Sequence, residues 1–92
     1  MKRAALLPEF RELLRSLPRD NRHNIGRKIT ALEQSFGQPH LHRGLGIRWL
    51  RDDYYEIRLG LKQRLVFRNL PDCLLCEMIA NHNEVKRFIK SR

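Results

Sequence analysis

Apolar and polar residues alternate in two extended segments in the second half of the chain, residues 54–59 and 64–68. In each segment one set of side chains is apolar and the other set is mostly polar or charged. Gly60 lies between the segments and can adopt the positive φ that a short hairpin turn often needs. The pattern therefore predicts a β-hairpin with one apolar face that covers a core.

In the first half of the chain, apolar residues recur at helical spacing and predict two amphipathic helices. The first helix begins at Pro8 and ends at Leu17, and the second runs from Pro18 to a terminator at Gly37. Residues 2–7 precede them as a short, weakly patterned strand. We expect the two helices to form an antiparallel hairpin whose apolar sides pack on a sheet.

The remaining segments complete a sheet and a final helix. Residues 38–43 are predicted to be a loop, residues 44–50 a strand and residues 73–80 the most apolar strand. A short helix follows over residues 84–90, with Asn83 as its N-cap. Trp49 is expected to pack into the sheet.

This order of elements predicts an α+β fold in one domain, residues 1–92. A two-helix hairpin packs on a twisted, mainly antiparallel sheet of four to five strands, and a short C-terminal helix follows. A chain of 92 residues has enough apolar surface for one core and not for two.

Positive charge dominates the composition, with 19 Lys and Arg against 10 Asp and Glu and a formal net charge of +9. Such an excess favours a polyanionic partner, either a nucleic acid or an acidic protein. No apolar run is long enough for a signal sequence or a membrane span, so a cytoplasmic protein without a membrane partner is expected. Two cysteines do not make a disulfide framework.

Arg58, Arg64 and Arg68 fall on the polar face of the predicted hairpin. Like charges this close repel one another, so either carboxylates must pair with them or an anion must bind. Glu56 and Glu77 are the candidates for the pairing, on the condition that they share that face. Our hypothesis is that the anion is RNA phosphate, which a guanidinium can grip through two oxygens at once.

Several short motifs follow one another along the chain in a characteristic order and spacing. They include an arginine followed by two aliphatic residues and an aromatic one, and the full set covers residues 7–10, 17–18, 55–59, 64–67 and 82–88. Through these motifs the chain resembles the RelE/ParE superfamily of bacterial type II toxin–antitoxin toxins. The resemblance implies a small basic toxin that cleaves mRNA, commonly on the ribosome, and that a cognate antitoxin silences in a hetero-oligomer.

The resemblance also implies the chemistry. Family members cleave without metal or cofactor, because the 2′-hydroxyl attacks the neighbouring phosphate. Arg64 matches the arginine of the family's strand motif, Arg58 a basic position one strand earlier, and His82 the position after the last strand. ParE toxins of the same superfamily inhibit DNA gyrase, so a gyrase inhibitor or a non-catalytic RNA-binding relative is the alternative.

Cleavage by an internal hydroxyl needs a base, an acid and cations that stabilise the charge on phosphorus. Arg64 is the candidate for the phosphate, Arg58 for substrate positioning and His82 for proton transfer, since imidazole exchanges protons near neutral pH. Further RNA contacts are assigned to residues that share the basic face or the last helix, namely Arg48, Tyr54, Arg68 and Lys86.

Two motifs typical of metal sites do not favour a metal here. Cys73 and Cys76 are three residues apart on a predicted strand and therefore point to opposite faces. His40 and His42 lie in a predicted loop without an evident third ligand. No metal site is therefore predicted.

Overall fold

Four helices and five strands make up the part of the chain that the structure describes. The computed structural model describes residues 1–91, and within them every side chain except that of Arg43. In chain order the elements are β1 (Ala4–Leu6), α1 (Pro8–Ser16), α2 (Arg19–Ser35), α3 (Pro39–Leu45), β2 (Arg48–Arg51), β3 (Tyr54–Arg58), β4 (Arg64–Asn69), β5 (Leu74–Ala80) and α4 (His82–Lys90). None of these helices is both long and apolar enough to cross a bilayer.

The five strands form one sheet in the order β1-β5-β4-β3-β2. β1 pairs with β5 in parallel, and all other neighbours are antiparallel. Tyr55 lies opposite Phe67 and Ile57 lies opposite Leu65, so the predicted apolar face of the hairpin forms in register. The predicted α+β fold with a mainly antiparallel sheet is confirmed.

The main core lies between that apolar face and the two-helix hairpin. Phe10 from α1 and Leu32 from α2 are almost fully buried against sheet residues such as Phe67. Each side chain of this size contributes roughly 1.5–3 kcal/mol when it is removed from water. The amphipathic helices therefore need the sheet, as their sequence pattern predicted.

A second, smaller core lies on the opposite face, under α4. Val85 of α4 is buried against Tyr54, Val66 and Ala80, and further residues pack around them, namely Leu50, Met78, Phe88 and Ile89. Apolar residues at positions 85, 88 and 89 form one stripe of the helix, which must be covered. α4 therefore covers part of the sheet face that carries Arg58, Arg64 and Arg68, opposite the two-helix hairpin.

The start of α4 is fixed by a capping box. The Asn81 side chain accepts a hydrogen bond from the backbone N–H of Glu84, and the Glu84 carboxylate accepts one from the N–H of Asn81. Asn83 was predicted as the N-cap, but it lies inside the helix. The reason is that the reciprocal bond needs a Glu three residues after the cap, and only Asn81 has one.

Two segments before the hairpin also differ from prediction. Residues 39–45 form α3 where a loop was expected, with Pro39 at the first helical position. The strand predicted over residues 44–50 begins only at Arg48, because Gly46 has a φ of +73° that no regular strand accommodates. Trp49 was expected to pack into the sheet, yet 59% of its surface is exposed.

The turn between β3 and β4 is wider than predicted. Leu59 donates its backbone N–H to the carbonyl oxygen of Gln63 at 3.0 Å, which closes a loop around residues 60–62. Among the described glycines, positive φ occurs at Gly37 and Gly46 and not at Gly60. A longer loop spreads the reversal over more residues, so Gly60 does not need the left-handed conformation.

Candidate functional site

A cleft of about 300 Å³ opens between β2, β3 and α4. We call it the β2–α4 cleft, and it is lined by Arg48, Trp49, Leu50, Glu56, His82, Val85, Lys86, Ile89 and Lys90. Apolar residues of the second core form part of its wall, and charged groups form the rest. A concave surface with a few convergent polar groups is the usual form of a binding site.

Basic side chains reach this cleft from two elements. His82, Lys86 and Lys90 are spaced four residues apart on α4, so they lie along one side of the helix. Arg48 is on β2, directly opposite Glu56 of β3. The cleft therefore combines three permanent cations, an imidazole and a single carboxylate among its described residues.

Glu56 is the buried acid of the cleft, with only 4% of its surface exposed. Its Oε2 lies 3.5 Å from Nε of Arg64, whose side chain is 17% exposed. Arg64 also donates from Nη1 to the carbonyl oxygens of Gly60 and Gln63. Arg64 therefore contacts the cleft through Glu56 and does not line it.

Sequence reasoning assigned Glu56 only an ion-pair role and missed its place in the cleft. One signal for that place was present. Glu56 is the acidic residue on a strand face that otherwise presents Tyr54 and Arg58, and such an isolated acid among cations is a candidate for proton transfer.

Arg68 is held by a bidentate ion pair with Asp53. Its Nε and Nη2 donate to the two carboxylate oxygens at 3.1 and 2.9 Å, and Oε2 of Glu77 lies 4.0 Å away. The hydrogen bonds from Arg68 lower the pKa of Asp53, and the same bonds raise the pKa of Arg68. Through this ion pair, Arg68 on β4 holds the turn between β2 and β3 against the sheet.

Tyr54 was predicted to stack on a base, but its surroundings leave it little surface to do so. It is 8% exposed and meets Phe88 of α4 edge-on, with ring centroids 5.3 Å apart. The guanidinium of Arg68 lies 5.3 Å from the centre of the tyrosine ring. Tyr54 and Arg68 therefore belong to the packing between α4 and the sheet.

Arg58 is exposed and faces a different pocket. That pocket lies beside the turn after β3 and does not include His82. Of the seven residues assigned from sequence, the cleft brings together Arg48, His82 and Lys86. Arg64 contacts the cleft through Glu56. Arg58 is two residues from Glu56 on β3, but it lines the other pocket.

Neither motif considered for metal binding forms a ligand cluster. Within the described residues no group of three His, Cys, Asp or Glu side chains could hold a metal ion. His42 accepts a hydrogen bond at Nε2 from the N–H of Gly37. Cys73 and Cys76 are free, and burial, followed by the charges of Glu33 and Cys73, raises the pKa of Cys76 to about 12.

Comparison with known proteins identifies the fold. No protein-family model and no curated protein sequence matches the chain. Solved structures do match. A chain of the archaeal RelE–RelB complex from Pyrococcus horikoshii OT3 aligns with a TM-score of 0.65 and 17% identity, over 87% of this chain and 93% of that one.

Two further complexes give similar values. The RelB–RelE antitoxin–toxin complex from Methanococcus jannaschii aligns with a TM-score of 0.64 and 19% identity, over 90% of this chain and 95% of that one. The YoeB–YefM complex from Staphylococcus aureus aligns with a TM-score of 0.61 and 20% identity, over 89% and 98%. The chain therefore has the fold of the RelE-like toxins, which confirms the sequence resemblance at the level of the fold.

Proposed function

We propose that the protein is the toxin of a type II toxin–antitoxin system and cleaves mRNA without a metal, in a ribosome-dependent manner. The observation that supports this most directly is the β2–α4 cleft, where His82 and the buried Glu56 line one basic cavity. Two groups that exchange protons, together with cations, are what cleavage by an internal 2′-hydroxyl requires.

In this mechanism Glu56 takes the proton from the attacking 2′-hydroxyl. The new bond between that oxygen and phosphorus displaces the 5′-oxygen of the next nucleotide, and His82 supplies the proton to this leaving group. Arg48 and Lys86 stabilise the charge that develops on the phosphate. Arg64 holds the Glu56 carboxylate in position, and the products are a 2′,3′-cyclic phosphate and a 5′-hydroxyl.

The proposed partners follow from charge and from the structural neighbours. All three aligned structures are complexes whose names pair RelE with RelB or YoeB with YefM. A chain with a formal charge of +9 suits an acidic antitoxin in such a hetero-oligomer, as well as mRNA on the ribosome. We expect co-expression of that antitoxin to relieve any growth arrest that the toxin causes.

The test is to add the purified protein to translating ribosomes and map new mRNA ends. We expect cut messages with cyclic phosphate ends, and cleavage at least a hundredfold slower in His82→Gln and Glu56→Gln. Lys62→Gln is the control, because Lys62 is an exposed cation outside the cleft. Intact mRNA together with inhibited supercoiling would identify a gyrase inhibitor instead.

One observation favours a second candidate, a non-catalytic RNA-binding relative. Arg64, the arginine of the family's strand motif, is occupied by Glu56 and by two backbone carbonyls. A protein of this kind would bind RNA through Arg48 and Lys86 and leave it uncut. Binding with no new mRNA ends and normal growth on expression would support it.

A further inference from the structure

A second pocket of about 110 Å³ lies beside the turn after β3. We call it the glycine pocket, and it is lined by Lys28, Gly44, Leu45, Gly46, Arg58, Leu59 and Gly60. A water molecule occupies about 30 Å³ of liquid, so the pocket has room for a few waters or for one tetrahedral anion.

Both cations of the glycine pocket are without a counter-charge. Among the described side chains, neither Lys28 nor Arg58 has a carboxylate partner or a side-chain hydrogen bond, and no acidic residue lines the pocket. Two positive charges directed at one small concave surface repel each other unless an anion lies between them. This differs from Arg64 and Arg68, which both have carboxylate partners.

The C-terminal end of α3 also borders the pocket, at Gly44 and Leu45. A helix end of this kind carries about half a negative charge, which favours cations nearby. Two full positive charges exceed that amount, so the pocket remains positive. Neither cation donates a hydrogen bond to these carbonyls, so the helix end does not satisfy their donors.

Glycine is required where the chain approaches Arg58. A Cβ built on Gly46 would lie 3.2 Å from the Cβ of Arg58 and 3.5 Å from its backbone nitrogen, and Gly46 has a φ of +73°. Because Gly46, Gly44 and Gly60 have no side chains, the pocket wall there is backbone that an anion can approach closely.

We propose that the glycine pocket binds one phosphate group of the RNA strand that enters the β2–α4 cleft, through Arg58 and Lys28. Arg58 and Glu56 are two residues apart on one face of β3, which separates them by roughly 7 Å. A single strand can therefore occupy both sites at once. The assignment to RNA rests on the proposed function, whereas the phosphate site itself does not.

The first experiment titrates the ¹⁵N-labelled protein with inorganic phosphate at constant ionic strength. We expect saturable shifts at the amides of Gly44, Gly46 and Gly60, and binding at least tenfold weaker in Arg58→Gln and Lys28→Gln. Lys62→Gln and Arg11→Gln remove an exposed lysine and arginine outside the pocket and should bind as the original protein does. Shifts that are linear and spread over all basic regions would overturn the proposal.

The second experiment replaces phosphate with a short single-stranded RNA, in a protein carrying His82→Gln so that the RNA stays intact. We expect the same glycine amides to shift, and phosphate to compete. If phosphate shifts them and RNA does not, the assignment to an RNA strand is wrong. Failure of cleavage with both titrations positive would refute only the proposed enzyme, whereas cleavage with both titrations negative would refute only the phosphate site.

Discussion

Arginines on one face of the sheet fall into two groups that differ in their neighbours. Arg64 and Arg68 are partly buried, and each has a carboxylate partner, Glu56 and Asp53 respectively. Arg48 and Arg58 are exposed, and no described carboxylate pairs with them. We call Arg64 and Arg68 the paired arginines, and Arg48 and Arg58 the unpaired arginines.

The difference shows that strand position alone does not decide what an arginine does. A paired arginine already has its charge neutralised, so its removal should affect folding most. An unpaired arginine contributes little to the fold and keeps its charge available for an anion. Removing a paired arginine should therefore lower stability, whereas removing an unpaired arginine should lower RNA affinity.

The largest effect is expected when a paired arginine is removed from a buried carboxylate. Arg64→Ala leaves Glu56 charged and 4% exposed without its counter-ion, which should lower the free energy of unfolding by about 3 kcal/mol. Arg58→Ala, on the facing strand position, should change it by less than about 0.5 kcal/mol. Urea denaturation of both variants measures the difference.

A double variant separates loss of the ion pair from loss of packing. Adding Glu56→Gln to Arg64→Ala removes the uncompensated charge, so it should recover part of the lost stability. Equal destabilisation by Arg64→Ala and Arg58→Ala would show that the two groups of arginines do not differ.

The capping box that starts α4 gives the next largest effect, because α4 forms one wall of the cleft. Asn81→Ala should lower the free energy of unfolding by about 1 kcal/mol. Asn83→Ala is the matched control, since Asn83 is an exposed residue within the same helix and should cost less than about 0.5 kcal/mol. Thermal denaturation compares them, and an equal loss in Asn83→Ala would contradict the assigned cap.

RNA affinity should distinguish the unpaired from the paired arginines in the opposite direction. Each phosphate contact on a single strand contributes a slope of about −0.7 to log K against log salt, which corresponds to about fivefold in affinity at 0.1 M salt. Arg48→Gln should therefore bind about fivefold more weakly with a shallower slope. Fluorescence anisotropy at several salt concentrations measures the slope. Arg68→Gln is the control and should keep the slope of the original protein. A changed slope in Arg68→Gln would contradict the distinction between paired and unpaired arginines.

The parts of the fold that depend on local periodicity could be predicted from the sequence. The alternation around Ile57 and Leu65 defined the hairpin, and proline and glycine marked the ends of the first two helices. The cap at Asn81 was missed because Asn83 is equally good as an isolated residue. Only the position of Glu84 relative to each asparagine decides between them.

The candidate site could be predicted only in part, because it depends on which elements meet. Arg48, His82 and Lys86 were assigned from sequence and do line one cleft. Whether Arg64 pairs with Glu56 or Glu77 depends on the register between strands, and sequence spacing left both open. Lys28 could not be assigned, because it is on α2, thirty residues before Arg58, and no local pattern relates the two.

The smallest effect is expected at the other paired arginine, and it depends on pH. The pKa of Asp53 is below its ordinary value of 3.8, so its ion pair with Arg68 stabilises the fold above about pH 4 and this contribution is lost as the pH falls. Both side chains are about one-third exposed, so Asp53→Asn should cost less than about 1 kcal/mol at pH 7. Stability of Asp53→Asn should also fall less steeply than that of the original protein below pH 4.

Asp52→Asn is the control, because Asp52 is an exposed neighbour and asparagine tolerates its φ of +47° equally well. If the stability of both variants falls equally steeply below pH 4, the ion pair between Arg68 and Asp53 does not stabilise the fold.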